Sequence, residues 1–215
     1  MLLKGGTHHA IFRIVHLDNL AIYLARRALH APNHTPNDGR VWKGTHDAQV
    51  QTKRAATAVP CGPGGTLLDY VPFYFGPRSP MLYKLKTGQV AGYDEGQEPL
   101  VTLVAAAEDV AAAVPFVFYD GHALAAFSTS YADLARLPDL DWAAIDAKMW
   151  RDTPEDNDRQ RRKQAEFLVH RELSWALIRG LAVCNDTAKT RVEALLSGYD
   201  PTLHRRVAVW PDLYY

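Results

Sequence analysis

Glu166 is the carboxylate of this chain best placed to act on a ligand. It opens the apolar run Ala165-Glu-Phe-Leu-Val-His170 immediately after a charged stretch, residues 151–163. A sheet would hold that residue rigidly while it faces the cleft beneath the preceding loop. The competing reading is a strand-end carboxylate paired with Arg162 or Lys163, an arrangement worth little at a surface. Arg13 interrupts the strand expected over residues 10–16, Ala-Ile-Phe-Arg-Ile-Val-His. A guanidinium on a sheet is costly unless it meets a carboxylate or a phosphate. Arg54 falls near the end of a helix expected over 46–57, where a solvated cation favoured by the helix dipole is the plain alternative to a functional one.

The segment Asp69-Tyr-Val-Pro-Phe-Tyr-Phe-Gly-Pro-Arg-Ser-Pro-Met-Leu-Tyr83 interleaves rings, prolines and one arginine. Pro72, Pro77 and Pro80 fix φ and withhold donors, so the segment is expected to be a strand briefly and then a shaped, extended surface. Rings on an extended backbone stack flat heterocycles, and Arg78 among them can meet a phosphate or a π-face. An edge strand whose rings cover the core is the alternative.

Further elements would position these residues. Odd residues of the first strand (Ile11, Arg13, Val15) face opposite to Phe12, Ile14 and His16, and Asp18 resembles the N-cap of a helix carrying Leu20, Tyr23 and Leu24 on one face. Residues 32–44 read as a loop long enough to form a lid or binding element. Residues 61–65, Cys-Gly-Pro-Gly-Gly, form a turn rather than a phosphate loop. Strands are expected at 99–105, 116–119, 165–170, 177–184 and 206–209. Helices are expected at 108–114, at 187–196 and in two stretches between 124 and 150 broken at Pro138. Residues 151–163 alternate in sign and read as an exposed loop or solvated helix. The sum is one α+β domain over 1–215, built on short strands.

Lys+Arg and Asp+Glu balance at 24 each among 215 residues, so attraction to nucleic acid must come from a local patch. Two cysteines, Cys61 and Cys184, supply neither a disulfide framework nor a four-ligand zinc site. No metal is expected, and a reducing cytoplasm fits. The first residues lack the apolar core of a signal peptide, His8 and His9 are expected to be disordered, and no run is long and apolar enough for a membrane span. Ser128, Ser130 and Ser174 stand in no nucleophile elbow.

Five motifs, taken in order, carry a resemblance. They are Ile14-Val-His-Leu-Asp-Asn-Leu20, the block from Gly64-Gly to Met81-Leu-Tyr83, Gly96-Gln-Glu-Pro-Leu100, Gln164-Ala-Glu-Phe-Leu-Val169 and the terminal Tyr214-Tyr215. Together they resemble the DarT family of DNA ADP-ribosyltransferase toxins over nearly the whole chain. The resemblance implies an ADP-ribosyltransferase fold, a short-stranded split sheet with peripheral helices. It implies consumption of NAD+ as co-substrate and transfer of ADP-ribose to a base, typically thymine, in single-stranded DNA. It also implies a macrodomain antitoxin, a DarG-like ADP-ribosyl glycohydrolase that removes the mark.

Carried onto this chain, the resemblance implies that Glu166 is the catalytic acid and Arg54 the essential arginine. Tyr74 takes the nicotinamide-stacking position. His16, Asp18 and Asn19 fall where the family holds NAD+, and Met81 falls on the DNA-facing wall. Lys53 and Arg78 are expected among the basic contacts to DNA. The chain departs from the family at Arg13, which stands where histidine is usual, and at Val15, which stands where threonine is usual. Arg13 is expected to keep the NAD+ role by pairing with pyrophosphate. Residues 41–51 lack the tyrosine expected on the DNA-facing helix, which leaves base identity and sequence context open, with ADP-ribosylation of guanine, RNA or protein as alternatives; the loss of the usual first-strand histidine leaves an inactive binding relative open as well.

Overall fold

The computed structural model describes residues 8–215, so the reading of the extreme N-terminus lies outside the described residues. In chain order the first elements are β1 (Ala10–His16), α1 (Leu17–Arg26), β2 (Ala28–His30), α2 (Ala48–Ala56), β3 (Tyr70–Tyr74) and α3 (Pro80–Lys86). The middle of the chain forms β4 (Leu100–Ala106), α4 (Ala107–Ala113), β5 (Phe116–Tyr119), β6 (Ser130–Tyr131), α5 (Trp142–Asp146) and α6 (Arg159–Lys163). Then come β7 (Glu166–His170), β8 (Glu172–Ser174), β9 (Gly180–Val183), α7 (Asp186–Leu196) and β10 (Val207–Val209). Among the described residues, eight strands form one sheet in the order β10-β9-β4-β1-β3-β7-β5-β6, and β2 pairs with β8 apart from it.

The sheet is split in the middle. β1 pairs with β4 along its whole length, from Ala10↔Ala106 to His16↔Leu100, and β3 pairs with β7 from Tyr70↔His170 to Tyr74↔Glu166. Between β1 and β3 the register holds at Phe12↔Tyr74 alone. The two halves therefore diverge beyond that point, and backbone groups there must find other partners. Arg13 supplies one, donating from Nη1 to the Pro72 carbonyl at 2.8 Å.

Alternation on each strand divides the faces. On β7, Phe167 and Val169 enter the main core with Ile11, Val71, Phe73 and Trp175, whereas Leu168 joins Tyr70, Val117 and Tyr119 in a second cluster across the sheet. Phe167 stacks on Phe116 at 5.1 Å and meets Phe75 edge-on at 5.9 Å. Packing of this kind beside Glu166 fixes the start of β7.

Several expectations change. The aromatic block stays extended only to Tyr74; Pro80 starts α3, capped by the Ser79 hydroxyl, which accepts from the Leu82 N–H. Proline suits the first helical position, where its missing donor costs nothing. The strand expected over 177–184 is only β9, preceded by a 3-10 turn at Trp175–Leu177. Between 124 and 150 the helical pieces are Leu134–Asp139 and α5, and β6 was not foreseen.

Residues 151–162 are exposed or half-exposed, as expected, but the stretch is tied down where it ends in α6. Arg162 pairs with Asp141 and Asp156, Arg161 with Asp120 and Asp158, and Lys163 is 1% exposed. Nor is His9 disordered: its N–H donates to the Glu108 carboxylate and its ring stacks on Trp142 at 4.8 Å. No helix is long and apolar enough to cross a membrane among the described residues.

Candidate active site

Glu166 is 1% exposed and is held at both oxygens. Oε2 accepts from Arg54 Nη1 at 2.9 Å; Oε1 accepts from the His122 ring at Nδ1 and from the Ala123 N–H, each at 2.9 Å. A nitrogen facing an ionised carboxylate must carry the proton, so His122 is read with hydrogen on Nδ1. Burial alone would raise the carboxyl's pKa, but Arg54, His122 and the Ala123 N–H outweigh it and hold the group at about 2. Glu166 is thus an anion fixed inside the protein.

Arg54 reaches it from the last turn of α2, whose N-terminus is capped by Asp47 accepting from the Gln49 and Val50 N–H groups. The helix turns Lys53 outward and Arg54 inward, 5% exposed, so the solvated reading of Arg54 does not hold. The expected partners of Glu166, Arg162 and Lys163, are engaged elsewhere.

Cross-strand register places Tyr74 on one side of Glu166 and Tyr119 on the other, all on one face. Burial, with Glu166 nearby, pushes the Tyr74 hydroxyl well above its ordinary range, so the ring stays neutral. Where β1 and β3 diverge, a cavity of about 490 Å³ opens, lined by Arg13, Asn19, Arg54, Tyr74, Met81, His122 and Glu166 together with Trp42, Lys43 and Gln160. That volume lies within the usual range for small-ligand pockets. Four buried side-chain nitrogens have no hydrogen-bond partner among the described residues, and two of them, Arg13 Nε and Arg54 Nη2, belong to residues that line the cavity; the others are His16 Nε2 and Arg26 Nη1. Unpartnered buried donors beside a cavity suit an anionic, hydroxyl-rich ligand.

Other expected residues fall outside this wall. His16, not Asp18, caps α1: its Nδ1 accepts from the Asp18 N–H at 3.1 Å, and burial lowers its pKa. Asp18 is exposed and sits 3.6 Å from the Lys43 ammonium. Asn19 keeps a place by bonding both backbone groups of Lys43 at 2.9 Å, which ties the 35–47 loop to α1. Lys53 is exposed and does not line the cavity. Arg78, at φ 53°, donates from Nε to the Tyr214 carbonyl at 2.6 Å and so anchors the C-terminus. His122 was missed in the sequence because its partner lies 44 residues away. Among the described residues no group of His, Cys, Asp and Glu is arranged to hold a metal ion.

A mixed sheet with peripheral helices, parting beside a ligand-sized cavity, is consistent with the fold of the ADP-ribosyltransferases. Residues 12–215 match the family described as DarT, ssDNA thymidine ADP-ribosyltransferase, and the chain belongs to that family. A DNA ADP-ribosyl transferase of Thermus sp. (strain 2.9) is 41% identical over 206 residues, covering 95% of each protein. The solved structure of Thermus sp. 2.9 DarT in complex with ADP-ribosylated ssDNA superposes with a TM-score of 0.86 at 37% identity, covering 100% of both chains. The same protein in complex with NAD+ gives 0.85 at 38% identity, covering 99% of this chain and 100% of that one.

Proposed function

We propose that this chain, acting as a single domain over 1–215, transfers ADP-ribose from NAD+ to thymine in single-stranded DNA. The observation that carries the reading is the fixed, ionised Glu166 at the split between β1 and β3, in a cavity with unpartnered guanidinium donors on two walls. As the bond between nicotinamide and ribose breaks, positive charge grows on the sugar. A preorganised carboxylate stabilises that charge without reorganising, and a free lone pair on Oε2 can orient a ribose hydroxyl. Tyr74 offers a neutral ring on which nicotinamide can stack, and Arg13 offers Nε to the pyrophosphate. Met81 and Lys84 of α3 line the same cavity, which supports contacts from them to the base and the DNA backbone. Single-stranded substrate follows from access, since the reacting edge of a base is hidden in a duplex.

Lys53 and Arg78 have less support as DNA contacts than Lys43 and Lys84, which line the cavity. His16 and Asp18 act on NAD+ through the helix start and the Lys43 loop rather than by touch. A macrodomain antitoxin that removes the mark, and a cytoplasmic setting, belong to the same reading.

The test is incubation with NAD+ and single-stranded oligonucleotides that each lack one base, followed by mass spectrometry. An ADP-ribose adduct confined to thymine-containing oligonucleotides is expected. Adducts on guanine, RNA or protein, or NAD+ binding with no transfer, would overturn the reading.

A further inference from the structure

Transfer to thymine needs a proton acceptor, and the two residues expected to matter most are poorly suited to it. In thymidine the imide nitrogen carries the base's only N–H, so that nitrogen must lose a proton as it bonds to ribose. Glu166 is an anion whose oxygens already accept from three donors. Arg54 is a cation with no acceptor at all.

We propose that His122 is the general base, accepting the imide proton at Nε2 while Glu166 holds Nδ1–H. This rests on the thymine reading above. His122 lines the cavity, its ring is 28% exposed, and Nε2 has no hydrogen-bond partner among the described residues. A carboxylate that takes the proton of one ring nitrogen sets the tautomer in which the other is a free acceptor, and stabilises the imidazolium that forms. The backbone that carries the ring is fixed as well. The His122 N–H donates to the Arg161 carbonyl at 3.0 Å, and its own carbonyl accepts from the Ser128 hydroxyl at 2.8 Å. Glu166 thereby does two jobs: Oε2 faces the sugar with Arg54, and Oε1 orients the base.

The step balances. The imide nitrogen forms a bond to the ribose carbon; the carbon–pyridine bond breaks with its electron pair going to the pyridine nitrogen, so nicotinamide leaves neutral. The imide proton moves to Nε2, and the imidazolium later returns it to water. The charged and titratable groups around His122 are Glu166 on β7, Arg54 on α2, Tyr119 and Asp120 at the end of β5, and Arg161 on α6. A general base must be unprotonated to act, so a loss of transfer on acidification that is present in the wild type and absent from the His122 variants would report its protonation.

The test uses His122→Asn, whose amide can still donate to Glu166 Oε1 but has nothing at the position of Nε2, compared with His122→Ala. Three quantities are read: transfer to a thymine oligonucleotide, NAD+ hydrolysis without DNA, and the pH profile of transfer. The expected result for His122→Asn is a loss of about 10²–10⁴-fold in kcat for transfer, typical of a missing general base. Its hydrolysis should fall at least tenfold less, the acidic limb should vanish, and added imidazole should restore part of transfer to His122→Ala. Equal losses of transfer and hydrolysis would overturn the proposal and make His122 a positioning residue for Glu166. So would a wild-type-like pH profile. A silent wild type would instead overturn the thymine reading, and the proposal with it.

Discussion

Arg54 Nη1 donates to Glu166 Oε2 at 2.9 Å across 112 residues of chain, with both side chains buried. Each ion is compensated mainly by the other, so removing one leaves a buried charge. Arg54→Ala is expected to destabilise the fold by about 3–5 kcal/mol, whereas Arg54→Ala combined with Glu166→Gln should cost less than Arg54→Ala alone. Urea unfolding of the two single variants and the double variant measures this. Additive losses would show that the pair is not coupled.

Acid stability follows from the same pair. The Glu166 carboxyl is held at about 2, against 4.5 for a free glutamate, so its stabilisation is complete above 4.5 and is lost as the pH falls toward 2. Asp69, also held at about 2, chiefly by the Thr66 N–H opposing burial, loses its contribution over an overlapping window, as the pH falls from 3.8 toward 2. Glu166→Gln should keep the Asp69 share and lose its own. Its melting temperature should therefore fall less steeply than the wild type's between pH 5 and 3, read by circular dichroism. Parallel curves would contradict the depressed value.

Tyr74 acts in this reading through its ring. Tyr74→Ala is expected to weaken NAD+ binding by about 1–3 kcal/mol, a typical stacking loss, while Tyr74→Phe stays close to wild type. Titration calorimetry with NAD+ separates the two. An equal loss in Tyr74→Phe would move the role to the hydroxyl.

Arg13 already donates to Pro72 from Nη1, so an anion would meet a guanidinium held in place. Arg13→Ala is expected to raise KM for NAD+ by about ten- to a hundredfold, as the loss of a charged hydrogen bond of about 1.5–3 kcal/mol implies. Steady-state kinetics decides it, and an unchanged KM would remove Arg13 from the NAD+ site.

Strands with clear alternation or unbroken apolar runs, β1, β4 and β7, were legible in the sequence, as was the placement of Glu166 at the head of a strand. Arg54 was legible only through the family resemblance, because its burial depends on how α2 packs on a sheet that the local pattern does not describe. His122 was invisible for the same reason: in Asp120-Gly-His-Ala it reads as a turn residue. Its role comes from β5 lying beside β7, a pairing made between distant segments. The charged stretch misled in a different way. Alternating signs suggest solvent, but here Arg161 also meets Asp120 and Arg162 also meets Asp141, aspartates from elsewhere in the chain, and composition does not tell a surface from a network.

Lys163 is the extreme case, an ammonium at the end of that stretch buried with one directional partner among the described residues, the Ile145 carbonyl, to which Nζ donates. Burial pulls its pKa down to about 8, partly offset by Asp146 and reinforced by Arg78. Below pH 8 both folded and unfolded chains carry the proton and the full burial penalty stands. Between 8 and the ordinary lysine value of 10.5 the folded chain releases it while the unfolded chain keeps it, so stability from this group rises with pH. Lys163→Met fills similar volume with no charge to bury, at the loss of one hydrogen bond worth about 1 kcal/mol. The variant is therefore expected to be about 1–2 kcal/mol more stable than wild type at pH 7, the order expected when a buried ion is replaced by an apolar side chain. The gap should close as the pH approaches 10.5. Urea unfolding at pH 7, 8.5 and 10 reads this directly, and a gap that widened with pH would show that the folded ammonium is stabilised by its surroundings instead.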